Sequence, residues 1–334
     1  MRNITIIGAG SWGTALAMHL AHLGHDVMLW ARDAALVRDM QFRQANAVYL
    51  PDVVLPPRVT PTASLADALD RPELVVCAVP SHGVRAVMRA AREFLAPGTL
   101  VVSATKGLEV DTLLRVSELL AHELGTSHPI VVLSGPSFAA ELARQMPTAV
   151  CVASQDPIAA EQVQAEFRSK YLRLYASPDV TGVEIGAAMK NVIAIAAGVV
   201  EGLGIGHNAL AALITRGLAE ITRLACALGA NRETLSGLAG LGDLVLTCTG
   251  SLSRNRHVGI ELARGRPLAE ILGSMKMVAE GVRTTGAALA LGARHDVELP
   301  ITSQMSEVLE GRKDARTALV DLMLRPQRAE AETG

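Results

Sequence analysis

Asn3-Ile-Thr-Ile-Ile7 runs directly into Gly8-Ala-Gly10-Ser11-Trp12-Gly13. The first five residues form a short apolar run that reads as a buried strand. The helical spacing of Ala15, Leu16 and Leu20 follows the last glycine. Asp26-Val-Met-Leu-Trp30 reads as a second strand and closes a βαβ unit of roughly 30 residues. Each glycine has a physical task there. Gly8 allows the tight turn, Gly10 lets the backbone approach a pyrophosphate, and Gly13 lets helix and strand pack closely. The helix start then presents free N–H groups to an anion. G-x-G-x-x-G alone is a weak signal, and between a strand and a helix it is a strong one. Beyond the second strand, Trp30-Ala-Arg32-Asp33 offers both charges: Arg32 suits the 2′-phosphate of NADP and Asp33 the bare ribose of NAD. The pair leaves both cofactors open and leans to NADP.

Outward from this unit, Leu74–Val79, Leu100–Ser103 and Ile130–Leu133 are continuous apolar runs, as a parallel sheet covered on both faces requires. Helical patterns at 82–94 and 112–124 lie between them. The strands run into Pro80-Ser81-His82, Thr105-Lys106-Gly107 and Ser134-Gly135-Pro136-Ser137. Ligands bind at the carboxyl ends of such strands, so Lys106 and Ser137 fall where chemistry is expected. Thr148–Ala153 and Tyr171–Tyr175 read as further strands flanking a helix. From Ser177 the texture changes to long apolar-periodic helices. The spacing predicts an α/β chain: a Rossmann-type doubly wound sheet over 1–176 and an all-helical domain over 177–334, with a frayed tail over 325–334.

In the second half, Gly186-Ala-Ala-Met-Lys190-Asn191-Val sets one ammonium inside an apolar helix. Ser177 is the expected N-cap, with Pro178 at the first helical position. The helical neighbours of Lys190 are Gly186, Ala187, Ile193 and Ala194, so another element or a ligand can come close. A lysine snorkelling to the surface would share this spacing. Only five of the 31 basic residues are lysines. A lysine kept here points to a titratable amine, since arginine cannot deprotonate. Gly237–Gly242 leads to Asp243, which reads either as a site acid or as a helix cap. Ser253 stands before a helical pattern, with Arg254, Asn255 and Arg256 in its first turn. Arginines there oppose the helix dipole, which makes sense if an anion sits among them. Glu280, in a glycine-bounded loop, can meet a ligand or water. His82, His207 and His257 have no visible partner.

Charged residues are 19% and hydrophobic ones 50% of 334, with a net charge of −2 and 3% aromatics. This describes a well-buried globular protein with no general attraction to nucleic acid or acidic membranes. Cys77, Cys151, Cys226 and Cys248 form no Cys-x-x-Cys pair. Neither a metal nor a disulfide framework is expected, and a reducing cytoplasm fits. The apolar N-terminal run is read as strand and glycine loop and not as a secretion signal. No later stretch reaches 18 uninterrupted apolar residues, so no membrane span is expected.

Taken in order, Gly8–Gly13, Lys106-Gly-Leu-Glu109, Gly135-Pro-Ser-Phe-Ala139, Lys190-Asn191-Val, Gly242-Asp243-Leu and Ser253-Arg-Asn255 resemble the bacterial-type NAD(P)-dependent glycerol-3-phosphate dehydrogenases over nearly the whole chain. The resemblance implies reversible hydride transfer between NAD(P)H and dihydroxyacetone phosphate, a small phosphorylated three-carbon substrate, giving sn-glycerol 3-phosphate for glycerophospholipid synthesis. It implies Lys190 as general acid and base, with Lys106, Gly135, Ser137, Asp243, Ser253, Arg254 and Asn255 around the substrate. At the cofactor it implies Ser11, Trp12, Arg32, Lys106, Ala139, Arg254, Val278 and Glu280, beside Gly8, Gly10 and Gly13. Asn191 and Asp243 are expected to orient Lys190. Asp33 departs from a strict NADP pattern. A 3-hydroxyacid or 6-phosphogluconate-type dehydrogenase would share a dinucleotide domain followed by helices, and an NAD(P)H-sensing regulator would bind cofactor without turnover. The apolar helical half leaves a homodimer open.

Overall fold

A computed structural model describes residues 1–327 and 329, so the tail expected over 325–334 falls largely outside the described residues. Eight strands form one sheet: β1 (Asn3–Ile7), β2 (Asp26–Trp30), β3 (Val59–Thr62), β4 (Leu74–Cys77), β5 (Leu100–Ser103), β6 (Ile130–Ser134), β7 (Thr148–Ala153) and β8 (Leu172–Ser177). Their order is β3-β2-β1-β4-β5-β6-β7-β8, and every neighbouring pair is parallel except β6 with β7. The direction of winding reverses between β1 and β4, where open α/β sheets bind their ligands. Ile7 pairs with Trp30 on one side and Cys77 on the other, and Cys77 pairs with Ser103. The loops that follow these strands therefore leave the sheet along one level edge.

Helices cover both faces. Leu16, Leu20 and Phe167 help to fill one side, and Val84, Met88, Leu119 and Leu120 the other. β3 escapes the sequence reading because Val59-Thr-Pro-Thr62 is four residues long and carries Pro61. A proline is tolerated there because β3 is an edge strand. The pattern expected at 112–124 is a helix only over Val116–Leu124, because residues 108–115 fold back as a hairpin that closes on a Leu108–Arg115 bridge.

After Ser177 all regular elements among the described residues are helical. The organising one is Val180–Gly202, buried nearly from end to end. Its N-cap is Asp179, whose carboxylate accepts the Gly182 N–H at 2.8 Å, and not Ser177 as expected from the sequence. Ser177 stays in β8 because pairing with Ala153 extends that strand by two residues. This helix is long and apolar enough to cross a membrane, yet its most apolar 18-residue window is 100% buried inside the fold. It serves as a core helix. The Arg254–Ala263 helix crosses it almost backbone to backbone. A Cβ on Gly198 would lie 1.9 Å from the Arg256 carbonyl oxygen, and one on Gly259 would lie 1.9 Å from that of Ile195. This contact carries the start of the Arg254–Ala263 helix to Asn191, beside Lys190.

Candidate active site

The glycine loop behaves as its chemistry requires. Gly8 has φ +116°, and a Cβ there would meet the Ala78 carbonyl at 2.8 Å. A Cβ on Gly13 would lie 1.9 Å from the Gly8 oxygen, so helix and strand pack at a distance only glycine permits. Gly10 differs, with nothing within 4 Å of its Cβ position. As N-cap of the Ser11–His22 helix it has no side chain to satisfy the first N–H groups, and the space before them is open. Buried Trp12 Nε1 has no hydrogen-bond partner among the described residues. An open cradle of N–H donors beside an unpaired donor fits a dinucleotide pyrophosphate.

At the end of β2 the two charges divide. Asp33 caps the Ala34–Arg43 helix through the N–H groups of Ala35 and Leu36, at 2.8 and 3.3 Å. Arg32 is exposed and has no partner among the described residues. The Ser11 hydroxyl lies 2.7 Å from the Tyr49 carbonyl, to which it can donate, and 3.0 Å from the Met277 sulfur. Half-buried Val278 is the next residue after Met277. Glu280, at the start of the Glu280–Arg294 helix, accepts from the Ser81 N–H at 3.2 Å and the Ser81 hydroxyl at 2.7 Å, tying the helical half to the end of β4. Half-buried Ala139 opens the Ala139–Ala143 helix beyond β6.

The reacting centre is a buried carboxylate shared by two amines. Lys190 Nζ donates to Asp243 Oδ1 at 2.5 Å and to Thr247 Oγ1 at 2.7 Å. Lys106 Nζ donates to Asp243 Oδ2 at 2.7 Å and to the Gly135 carbonyl at 2.9 Å. The Ser137 hydroxyl donates to that same carbonyl at 2.9 Å. Gly135 has φ +136°, and a Cβ on it would meet Val150 Cα at 3.0 Å, so the turn that aims this carbonyl needs glycine. Each ammonium has three donors and each uses two on protein, which leaves one N–H on each for a ligand. Two positive charges on one carboxylate also leave one charge uncompensated. Burial lowers the Lys190 pKa to about 8, with Asp243 pulling it up and Lys106 pushing it down. The snorkelling alternative does not describe this lysine, which is only 6% exposed.

Asp243 is the first residue of the Asp243–Thr249 helix, but its side chain caps no N–H; both oxygens go to lysines. Thr247 lies one helical turn further on, and its hydroxyl also donates to the Asp243 carbonyl at 2.6 Å. The sequence reading gave Thr247 no role, although its four-residue spacing from Asp243 is the signal that could have found it. Asn191 does not reach the amine. Its amide donates to the Ala187 carbonyl at 3.4 Å, and its oxygen accepts from Asn255 at 3.0 Å. The Asn255 oxygen in turn takes the Gly281 N–H at 2.9 Å. Ser253 caps the Arg254–Ala263 helix through the Arg256 N–H at 3.3 Å. Of the two arginines in that first turn, Arg256 pairs with Glu201, whereas Arg254 makes no hydrogen bond or ion pair among the described residues; burial lowers its pKa and the nearby Glu280 carboxylate pulls it back up. No group of three or more His, Cys, Asp or Glu able to hold a metal occurs among the described residues.

A doubly wound sheet with an open glycine cradle, joined to a helical half that brings a buried low-pKa lysine to the strand ends, defines a dinucleotide-dependent oxidoreductase. Residues 3–160 match the N-terminal part, and residues 179–320 the C-terminal part, of NAD-dependent glycerol-3-phosphate dehydrogenase. The chain belongs to this family. It is 52% identical over 329 residues to glycerol-3-phosphate dehydrogenase [NAD(P)+] of Citrifermentans bemidjiense, covering 98% of each chain. It is 50% identical to the enzyme of that name from Koribacter versatilis, covering 99% of each. The crystal structure of glycerol-3-phosphate dehydrogenase from Coxiella burnetii superposes with a TM-score of 0.94 at 39% identity, over 97% of this chain and 99% of that one. A ketopantoate reductase from Ralstonia eutropha, at 16% identity and a TM-score of 0.60, shares the fold alone.

Proposed function

We propose that this chain reduces dihydroxyacetone phosphate to sn-glycerol 3-phosphate, reversibly and with NAD(P)H, and that Lys190 is the proton donor. The observation that carries this reading is the Lys106–Asp243–Lys190 arrangement, in which each amine keeps one donor for a ligand oxygen. The nicotinamide, when bound, supplies the hydride. The chain's own groups do the rest. Asp243 and Thr247 hold the Lys190 amine in one orientation. Lys106 neutralises negative charge developing on the substrate oxygen, and Lys190 gives that oxygen a proton, with a pKa of about 8 suited to transfer in both directions near neutrality. Gly135, Ser137, Ser253 and Asn255 line the approach, and Arg254 takes the phosphate. Gly8, Gly10, Ser11, Trp12, Gly13, Arg32, Ala139, Val278 and Glu280 would hold the dinucleotide, Lys106 and Arg254 facing both ligands. The division expected near residue 176 falls just after Ser177, which ends β8, with the helical half from Val180 onward as the substrate-binding unit. Supply of the product to glycerophospholipid synthesis, in the cytoplasm, rests on the family resemblance.

The test is oxidation of NADH and NADPH, run in parallel with dihydroxyacetone phosphate. Absence of turnover with either cofactor would sink the enzyme reading in favour of a sensor. Turnover of a 3-hydroxyacid or 6-phosphogluconate in place of glycerol 3-phosphate would redirect it. Because Asp33 is engaged as a helix cap while Arg32 makes no hydrogen bond or ion pair among the described residues, NADP is the cofactor this pair favours over NAD. Arg32→Ala is expected to weaken NADPH binding by roughly 1–3 kcal/mol, the cost of losing a charge-assisted hydrogen bond, and NADH binding much less. Equal losses in titrations of the two cofactors would remove Arg32 from the 2′-phosphate.

A further inference from the structure

Lys106 reaches Asp243 from a loop of the sheet half, whereas Lys190 reaches it from the helical core, so something must hold the two halves in register. The Lys106 loop continues into the hairpin at residues 108–115. There the Glu109 N–H donates to the Leu114 carbonyl at 3.0 Å, and Leu113 turns the chain at φ +65°. Leu108, fully buried, packs in the helical core although it belongs to the first half of the chain. At the far end of the hairpin stands a buried carboxylate from the lysine's own helix. Glu184 Oε2 accepts from Arg115 Nη1 at 2.8 Å and from the Ser117 hydroxyl at 2.5 Å, and Oε1 accepts the Ser117 N–H at 2.8 Å. Its side chain is 3% exposed. Burial pushes this carboxyl up, and Arg115 and Ser117 pull it back.

We propose that Glu184 is a positioning residue, which through Arg115 and Ser117 anchors the Lys106 hairpin to the Lys190 helix and so sets the distance between Lys106, Asp243 and Lys190. Glu184 precedes Lys190 by six residues on one rigid helix, a rise of about 9 Å. The anchor and the working amine therefore move as one body. A buried ion pair adds little stability over apolar residues of the same volume, and its attested use is to fix one geometry. Glu109 of the hairpin pairs with Arg85 of the sheet half at 2.7 and 2.5 Å and Ser81–Glu280 joins the halves elsewhere, so it is the three directed bonds of Glu184, beside the packing of Leu108, that tie the hairpin itself to the Lys190 helix. The inference rests on the reading of Lys190 as proton donor, because a lever on Lys106 matters only if that amine and its neighbour work together.

The test is kcat against pH for the NADPH-dependent reduction, with Glu184→Gln, Ser117→Ala and thermal melting as a control. With its anchor weakened, Lys106 recedes and Lys190 loses a neighbouring positive charge. The Lys190 pKa then rises, and the pH at which reduction falls to half moves upward by about 0.5 in Glu184→Gln and by less in Ser117→Ala. At pH 7 kcat falls ~10-fold in Glu184→Gln through misplacement, with KM for NADPH within about two-fold of the parent. An unchanged midpoint overturns the proposal, whether kcat holds or falls together with the melting temperature. If Glu184→Gln does not fold, Ser117→Ala decides by the same midpoint. A parent midpoint that survives in Lys190→Met would overturn the reading of Lys190 itself, and this proposal with it.

Discussion

Lys190→Met is expected to lower kcat for dihydroxyacetone phosphate at least ~100-fold, the usual scale for loss of a general acid, while leaving NADPH affinity within a few-fold of the parent. Methionine matches the apolar stem of lysine as far as Cε and lacks the terminal amine with its charge and donors. The pH dependence follows with a definite sign. Reduction needs the protonated amine, so kcat declines as pH rises through about 8, where burial sets the Lys190 pKa. Oxidation of glycerol 3-phosphate needs the neutral amine and rises through the same range. Single-turnover reduction would register both effects on the chemical step. A variant that keeps its kcat would show that the proton comes from elsewhere, with Lys106 the first alternative.

Much of this site was legible as residue types and little of it as proximity. The glycine loop could be read because all its constraints are local: a strand, a turn and a helix between Asn3 and His22. The central strands could be read because burial on both faces leaves an unbroken apolar run. β3 could not, since an edge position relaxes those demands and admits Pro61. The helix carrying Lys190 was placed correctly, but its cap was not. Whether Ser177 ends a strand or starts a helix depends on pairing with Ala153, 24 residues away.

Asp243 shows the same limit more sharply. Beside a glycine-rich turn it looks like a cap, and only the fold brings it to Lys190 and Lys106, which lie 53 and 137 residues away in the chain. Asn191 errs in the opposite direction. Adjacent to the lysine in sequence, it points some 100° around the helix and is taken up by Asn255.

The phosphate of the substrate should account for most of its binding, because a three-carbon ketone has too little apolar surface to be held otherwise. Unphosphorylated dihydroxyacetone is therefore expected to fall ~1000-fold or more below the phosphate ester in kcat/KM, since the binding energy of that group also aligns the carbonyl. The candidate holder is Arg254. Its guanidinium makes no hydrogen bond or ion pair among the described residues and lies in the field of Glu280, it opens a ten-residue helix, and the Gly198–Gly259 crossing carries that helix start to Asn191, beside Lys190. Arg256, in the same turn, is already paired with Glu201 and cannot substitute for it. Arginine presents a planar fork to phosphate, which lysine cannot copy. Arg254→Lys should lose ~10-fold or more in kcat/KM for dihydroxyacetone phosphate, equivalent to about 1.4 kcal/mol or more. Its residual rate with dihydroxyacetone should stay near that of the parent, because no phosphate is present to miss the fork. Comparison of the two substrates in parent and variant separates the possibilities. Equal slowing of both would assign Arg254 to the cofactor or to the fold, and the phosphate would then have to be held by the remaining donor of Lys106.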